Sequence, residues 1–457
     1  MAFDSVVIIL LDGSRPDVLA DLAAAGELPT FKKHFVDAGG FREATSVFPT
    51  LSGPAHLPLI TGTHPGRANL PGIRWALRPT GKRGVFFRRT RSYMAPFRAR
   101  KLNRDIPGHI PTIFQHIDGM AEVNTWFVRG CSARSKSSRL SRIPAFFRSL
   151  VTADWYRYDA PVESGVISML ESGRPSLSSV FPSVDELGHR FGPMTDESFE
   201  AYRRFDVRLQ RIIDRLVRLG RLDRTLIVIT SDHGQTGTHT HIDLEREVAA
   251  VYKRTLAYPL LWRYLFSAEA AVMVSGNAMA NVYLTGENGW TELPDFEDER
   301  HRAAALVDRL LAHPGIDHVI YRREGDIVVR AASGCLRIGE NGEQAVEGEH
   351  PFGPDPDRDY PDAVYQLQMF YLSERAGDLV VCAREGYDLR ARFEYQPHRG
   401  SHGGLSREHM MVPAAVNARW KSHEPIRSVD LMPSMLRALG KPVPEGLDGQ
   451  AIALEVA

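Results

Sequence analysis

The sequence predicts an α/β protein: a three-layer α/β/α sandwich with a mostly parallel central sheet and an inserted cap lobe. Three observations carry this. Residues 6–11 (Val-Val-Ile-Ile-Leu-Leu) and 225–230 (Thr-Leu-Ile-Val-Ile-Thr) are unbroken apolar, β-branched runs, the mark of strands covered on both faces. Each run ends in an acid-bearing turn, Asp12-Gly13 and Ser231-Asp232-His233-Gly234, and open α/β sheets place their sites at the C-terminal ends of strands. Residues 197–219 set Phe199, Tyr202, Phe205, Leu209, Ile212, Ile213 and Leu216 on one side of a long amphipathic helix.

Composition agrees. The chain has 457 residues, 43% hydrophobic and 25% charged, an ordinary balance for a globular enzyme and enough for one large domain with an inserted lobe. Lys plus Arg (56) equals Asp plus Glu (56), which argues against a specific nucleic-acid partner. Cys131, Cys335 and Cys382 form no CxxC pair, so neither a disulfide framework nor a thiolate metal site is expected. No basic segment or small-residue cleavage site precedes the apolar run at 6–11, which is too short to span a bilayer. A cytoplasmic location is the expectation.

Taken in order, Pro16 suits the first turn of a helix to about residue 25, and a second helix is expected over 29–38. Residues 48–62 read as a loop that breaks at Ser52-Gly53-Pro54 and continues into a short apolar helix ending at Thr61-Gly62. A hydroxyl there sits where unpaired N–H groups favour an anion, although Thr50 and Ser52 alone would be ordinary capping residues. From 82 to 158 the texture changes. Lys82, Arg83, Arg88, Arg89, Arg91, Arg98, Arg100, Lys101 and Arg104 interleave with Phe86, Phe87, Tyr93 and Phe97, and further cations follow at Arg129, Arg134, Lys136, Arg139, Arg142 and Arg148. This span is expected as an inserted basic, aromatic lobe, with the catalytic core formed by 1–81 and 159–457. It suits an anionic substrate or a membrane surface as well as a plain solvated face.

The core pattern resumes with a strand at 178–182, followed by Asp185-Glu-Leu-Gly-His189. Residues 252–266, apolar and aromatic, read as a buried or lobe-packing helix with membrane-surface contact as the alternative. A strand at 281–284, a helix at 298–311, two short strands over 315–330, a surface excursion at 339–362 and a strand at 378–383 fill a smaller insertion around 250–390. A helix over 428–439 is closed by Gly440.

Four separated loops hold hard metal ligands: Asp12, Asp185 with His189, Asp232 with His233, and His402 between Ser401 and Gly403. Asp185 and His189 share a face if their segment is helical. Three carboxylates and three imidazoles are the inventory for two divalent ions with open positions for a nucleophile and substrate. Charge stabilisation of that kind is what phosphoryl transfer needs, with a hydroxyl as the attacking group.

These motifs resemble the alkaline phosphatase superfamily, in particular its nucleotide pyrophosphatase/phosphodiesterase branch. The strand ending at Asp12 resembles the first strand and first metal aspartate. The stretch from Ser52 to Thr61-Gly62 resembles the nucleophile loop, and its register points to Ser52, with Thr50 the second choice. Asp185-Glu-Leu-Gly-His189 with Phe191-Gly192-Pro193 matches the Asp-x-x-Gly-His pattern, Ser231-Asp232-His233-Gly234 and Ser401-His402-Gly403 match the remaining ligand motifs, and 430–440 with Gly446-Leu-Asp448-Gly449 resembles the C-terminal helix and tail. The resemblance covers about residues 1–75, 178–240 and 395–450. It implies Asp12, Ser52, Asp232 and His233 around one ion and Asp185, His189 and His402 around the other, with zinc usual and manganese preferred by the mutase relatives.

There are departures. The diesterase branch generally carries threonine where this chain has Ser52. Its phosphate-contacting asparagine has Asn69 as a neighbour out of register, and Arg129 is a second candidate for substrate contact. A sulfatase would need a cysteine in the nucleophile loop, and there is none. The expected function is a metal-dependent hydrolase of phosphate diesters or pyrophosphates acting through a phosphoseryl intermediate on a small anionic ester such as a nucleotide or a lipid headgroup. The competitors are a phosphomonoesterase or phosphotransferase of the same superfamily and a membrane-surface, lipid-headgroup-binding protein.

Overall fold

The computed structural model describes residues 3–93, 101–134, 144, 148–149, 151–152, 154–257, 264–390 and 397–456. Arg98, Arg100, Lys136, Arg139 and Arg142 of the basic span, and part of the apolar segment at 252–266, lie outside the described residues.

An eight-stranded sheet forms the centre, in the spatial order Ile426–Arg427, Phe41–Thr45, Met411–Val416, Thr225–Thr230, Ser5–Leu11, Leu177–Phe181, Ala121–Val123, Ala133–Arg134. Ser5–Leu11 lies between Thr225–Thr230 and Leu177–Phe181 and runs parallel to both. Met411–Val416 is antiparallel to both its neighbours, and the remaining pairings are parallel. Alternate side chains of the first strand enter two different cores. Val6, Ile8 and Leu10 pack with Leu57, Ile60, Leu431 and Met435. Val7, Ile9 and Leu11 pack with Leu19, Val162, Phe205 and Leu209. Both faces are therefore covered by helices, which is why the run carries no polar alternation. The architecture is the three-layer α/β/α arrangement with a mostly parallel sheet.

Helix Asp196–Arg218 is capped by Thr195, whose hydroxyl accepts from the Ser198 N–H, and its apolar stripe lies in the second of these cores. The segment at 29–38 departs from a regular helix: one α-turn, Pro29–Phe31, passes into a π-turn, Lys32–Val36. Its first turn is held from outside, because the Asp206 carboxylate accepts from the N–H groups of Thr30 and Phe31 at 3.0 and 2.7 Å.

Ala121–Val123 and Ala133–Arg134 come from inside the span expected as a separate lobe, yet they extend the central sheet. They are too short and too mixed in composition to announce themselves as strands, and pairing of Ala121–Val123 with Leu177–Phe181, and of Ala133–Arg134 with Ala121–Val123, supplies what their local pattern lacks. Residues 255–383 build a second eight-stranded sheet, mainly antiparallel, with Arg302–Leu311 against one face and Ala363–Phe370 against the other. Within the segment at 252–266, Tyr252 is buried and Thr255–Ala257 is a strand paired with Ala270–Ser275, not the helix expected there. No helix of the described residues is long and apolar enough to cross a membrane.

Candidate active site

The strand ends deliver the acids. Asp12 follows Ser5–Leu11, and its N–H donates to the Phe181 carbonyl at 3.0 Å, which fixes the turn between neighbouring strands. Gly13 has φ 70°, and a Cβ there would sit 2.8 Å from Asp185 Cα, so glycine alone lets the two acid-bearing segments pass. Asp185 and His189 lie one turn apart on helix Ser183–Phe191, with His189 Nε2 3.5 Å from Asp185 Oδ1. The glycine of that motif has its own reason: a Cβ on Gly188 would lie 2.0 Å from Gln235 Oε1. Gln235 needs the space because its Nε2 donates to the Asp185 backbone carbonyl at 3.0 Å and also to the Asp185 carboxylate, which fixes that acid. Asp232 and His233 follow Thr225–Thr230, and His402 follows the two-residue strand Gly400–Ser401.

The three imidazoles share one tautomer. Nδ1 of His189 donates to the Gly400 carbonyl at 2.7 Å, Nδ1 of His233 to the Gly234 carbonyl at 3.1 Å, and Nδ1 of His402 to the Thr50 carbonyl at 2.8 Å. A carbonyl only accepts, so each Nδ1 carries a proton, and in the neutral ring that ligates a metal each Nε2 keeps its lone pair. Those lone pairs meet the acids: His402 Nε2 is 3.9 Å from Asp185 Oδ1, and His233 Nε2 is 3.3 Å from Asp232 Oδ2 and 3.7 Å from Asp12 Oδ1. Ligand atoms of Asp185, His189 and His402 lie within 4.8 Å of one another, as do those of Asp12, Asp185 and His233 and those of Asp12, His56 and Asp232. Asp185 thus stands between two abutting donor sets.

Electrostatics makes the same demand. Burial, and then the neighbouring Asp232 and Asp185, push the Asp12 carboxyl well above its ordinary range. Burial opposes ionisation of Asp232 too, but the facing His233 and His56 hold it below its usual value. Burial, followed by His233 and His189, drives His402 well below the ordinary imidazole value, toward the neutral form that ligates metals. Three buried carboxylates in one place are stable as anions only with strong cationic compensation, and the donor set is all N and O, its atoms close enough together to converge on a divalent cation. The residues fit the metals that the motifs imply.

Ser52 faces this group. Its hydroxyl is half-buried, donates to Asp12 Oδ1 at 3.3 Å and lies 3.1 Å from His233 Nε2. Gly53 (φ 91°), the 3₁₀ turn Pro54–His56 and helix Leu57–Thr61 follow, closed by Gly62 in the left-handed region. Thr50 turns elsewhere: its hydroxyl donates to the Gly404 carbonyl at 2.8 Å and accepts from the Gly403 N–H at 3.0 Å. The two weaker candidates from the sequence are not brought to the cluster. Asn69 spends its side-chain oxygen on the Ser373 hydroxyl at 2.8 Å and the Arg375 N–H at 3.2 Å. Arg129 donates to the carbonyls of Ile106, Pro107 and Ile110, which ties its guanidinium into the local fold.

His56 belongs to the site and had not been singled out from the sequence. It is buried, four residues beyond Ser52, with Nε2 3.0 Å from Asp232 Oδ2. A histidine inside an otherwise apolar helical stretch was the available signal. His398 was missed as well. Its ring centroid lies 4.6 Å from that of His189, and burial followed by His189 pushes its pKa down to about 3.

The fold and the motifs define a hydrolase of phosphate esters built on the alkaline phosphatase architecture. The chain belongs to the type I phosphodiesterase / nucleotide pyrophosphatase family, whose sequence profile matches residues 6–405. Among solved structures it is similar to phosphonoacetate hydrolase from Sinorhizobium meliloti 1021 in complex with phosphonoformate, at 19% identity over 96% of this chain and 95% of that one, with a TM-score of 0.60. It is also similar to murine ectonucleotide pyrophosphatase/phosphodiesterase 5, solved as an inactive form with AMP, at 15% identity over 96% of both chains and a TM-score of 0.59. The wild-type alkaline phosphatase PafA matches over 100% of this chain and 99% of its own, with 12% identity and a TM-score of 0.67. At these identities the structural likenesses speak to the fold, and the family assignment rests on the sequence profile.

Proposed function

We propose that the protein hydrolyses phosphate diesters or pyrophosphates with two divalent ions and Ser52 as nucleophile. The observation that carries this is the shared tautomer: three Nδ1–H groups tied to carbonyls leave three Nε2 lone pairs turned toward three buried carboxylates, beside one half-exposed hydroxyl. Asp12, Asp232 and His233 would hold one ion next to Ser52, and Asp185, His189 and His402 the other. Bound there, divalent cations supply the charge that acidifies the Ser52 hydroxyl and neutralises the phosphoryl oxygens.

The chain's own residues do the rest. Asp12 and His233 orient the Ser52 hydroxyl, so its oxygen is poised for in-line attack on phosphorus. The Ser52 oxygen, its proton lost to water, forms a bond to phosphorus as the bond to the leaving-group oxygen breaks. The resulting phosphoserine, which keeps the second ester group of a diester, is then hydrolysed by water in a second displacement that returns the Ser52 hydroxyl. His56 and Gln235 hold Asp232 and Asp185 from behind, as groups outside a ligand shell do. Zinc is the proposed metal, since mixed imidazole and carboxylate donors suit it, with manganese the alternative. A reducing, cytoplasmic setting suits the three free cysteines.

Replacing Ser52 with alanine is the test. Turnover of bis-p-nitrophenyl phosphate is expected to fall by about 10³-fold or more while elemental analysis still finds two metals per chain. Full activity in that variant would rule out the assignment. Ser52 in place of threonine favours one second reading, a phosphomonoesterase, and a clear preference for p-nitrophenyl phosphate over the diester would select it.

A further inference from the structure

His398 stands beside the donor set Asp185, His189 and His402, and its protonation pattern is set by a chain of buried partners. Asp388, fully buried, accepts from His241 Nδ1 at 2.6 Å. Its other oxygen faces the side-chain nitrogen of Asn277 at 3.5 Å, and that same nitrogen lies 2.9 Å from His398 Nδ1. The order of these contacts fixes each group in turn. The Asp388 carboxylate only accepts, so Asn277 must turn its NH₂ toward it. The NH₂ then donates to His398, and His398 Nδ1 must be the acceptor. The single ring proton is left on Nε2. This is the opposite tautomer to the three histidines of the donor sets, which keep the proton on Nδ1. Asn277 itself is held firmly, at φ 68° in the turn between Ala270–Ser275 and Met279–Leu284, bridged to His402.

The position gives this donor a purpose. Ser52 lies against Asp12 and His233, and in-line displacement expels the leaving group opposite the nucleophile, so the remaining donor set, Asp185, His189 and His402, is the one left to face it. His398 flanks that side, with its ring tilted 40° to His189 at 4.6 Å. Resting on the hydrolase reading above, we infer that His398 is a substrate-contacting hydrogen-bond donor for the leaving group, and that the leaving group carries its own phosphoryl oxygens, as a pyrophosphate does. Asn277 and Asp388 are positioning residues that hold the donor tautomer. An aryl leaving group would offer this N–H its single departing oxygen and no second phosphoryl group.

Calorimetry on the zinc-loaded full chain separates the sources of binding. The probes are methylenediphosphonate, whose second phosphoryl group reaches the leaving-group side, and orthophosphate, which fills the transferring-group position alone. His398→Ala is expected to weaken methylenediphosphonate about tenfold, leave orthophosphate within about twofold and keep the zinc content. His398→Gln, which restores an N–H donor at similar reach, is expected to recover most of the loss. Equal weakening of both probes, loss of zinc, no recovery in the glutamine variant, or no change in either variant would overturn the inference. If the wild-type protein hydrolyses no phosphate ester at all, the proposed function falls, while the two-probe comparison still decides the role of His398.

Discussion

His56 is the residue on which the Ser52 side of the site leans. Its Nε2 lies 3.0 Å from Asp232 Oδ2 and 3.9 Å from Asp12 Oδ2, and its ring meets Trp126 edge-on at a centroid distance of 5.9 Å. Orienting partners behind a metal ligand typically matter by about 10–100-fold in affinity. His56→Ala is therefore expected to weaken zinc at the Asp12/Asp232/His233 set by that order, measured by competition with a chromophoric chelator. An unchanged affinity would leave His56 with packing alone. Asp159 makes a pH-dependent case. It is buried, accepts from the Ser183 hydroxyl at 2.5 Å, and burial raises its pKa to about 7 from an ordinary 3.8. A raised carboxyl pKa means that the folded state resists ionisation. The protein then loses stability as pH rises from 3.8 to about 7 and keeps that penalty above. Asp159→Asn removes the titration while keeping an acceptor for Ser183, so its melting temperature is expected to gain on the wild type across that window and to match it in acid.

At the scale of elements, the nucleophile segment is clamped at its far end by the C-terminal tail. The N–H groups of Asp448 and Gly449 donate to the Gly62 carbonyl at 3.0 and 3.2 Å, just where helix Leu57–Thr61 stops. The Asp448 carboxylate accepts from the His64 N–H at 2.7 Å, from His64 Nδ1 at 3.2 Å and from Arg67 at 2.7 Å. Burial works against its ionisation, yet the bonds from His64 and Arg67 prevail and hold its pKa at about 2. A depressed carboxyl pKa stabilises the fold above the unfolded value of 3.8 and loses that contribution as pH falls through about 2. Asp448→Asn is expected to lower the melting temperature at pH 7 and to converge on the wild type near pH 2, read by thermal denaturation. A constant difference at all pH values would mean that the tail is held by its backbone bonds alone.

Across the whole molecule, the site is a meeting of two sheets. The first supplies Asp12 and Asp232 from adjacent strand ends. The second supplies the turn at 276–278 on which His402 rests: Ala278 N–H donates to the His402 carbonyl at 3.0 Å, and His402 N–H to the Gly276 carbonyl at 3.1 Å. Ions bound between them would couple the stability of both halves. Removal of divalent ions with a chelator is expected to lower the melting temperature reversibly. Readdition of zinc to about 100 times its Kd should restore about 2.7 kcal/mol. A chelator-insensitive transition would show that the acids are compensated without metal.

The sequence by itself determined the two central strands at 6–11 and 225–230, their acid-bearing ends and the motifs that hold the candidate ligands, because hydrophobic periodicity and turn chemistry act over a few neighbouring residues. The runs at 6–11 and 225–230 could only be doubly covered strands, and Asp185 and His189 share a helix face by spacing alone. Tertiary structure decided which polar groups face one another. The bond from His402 Nδ1 to the Thr50 carbonyl joins residues 352 positions apart, and no local pattern encodes it. Asn69 and Arg129 are candidates for substrate contact on sequence alone; in the fold their hydrogen bonds go to Ser373 and Arg375 and to the carbonyls of Ile106, Pro107 and Ile110. Gln235 and His398 were silent, and His56 carried only the weak signal of a histidine in an apolar stretch, for the converse reason. A lone histidine or glutamine becomes informative only when folding sets it beside a buried carboxylate, as with His56 and Gln235, or one amide removed from one, as with His398, since burial then makes every hydrogen bond a choice of proton and tautomer.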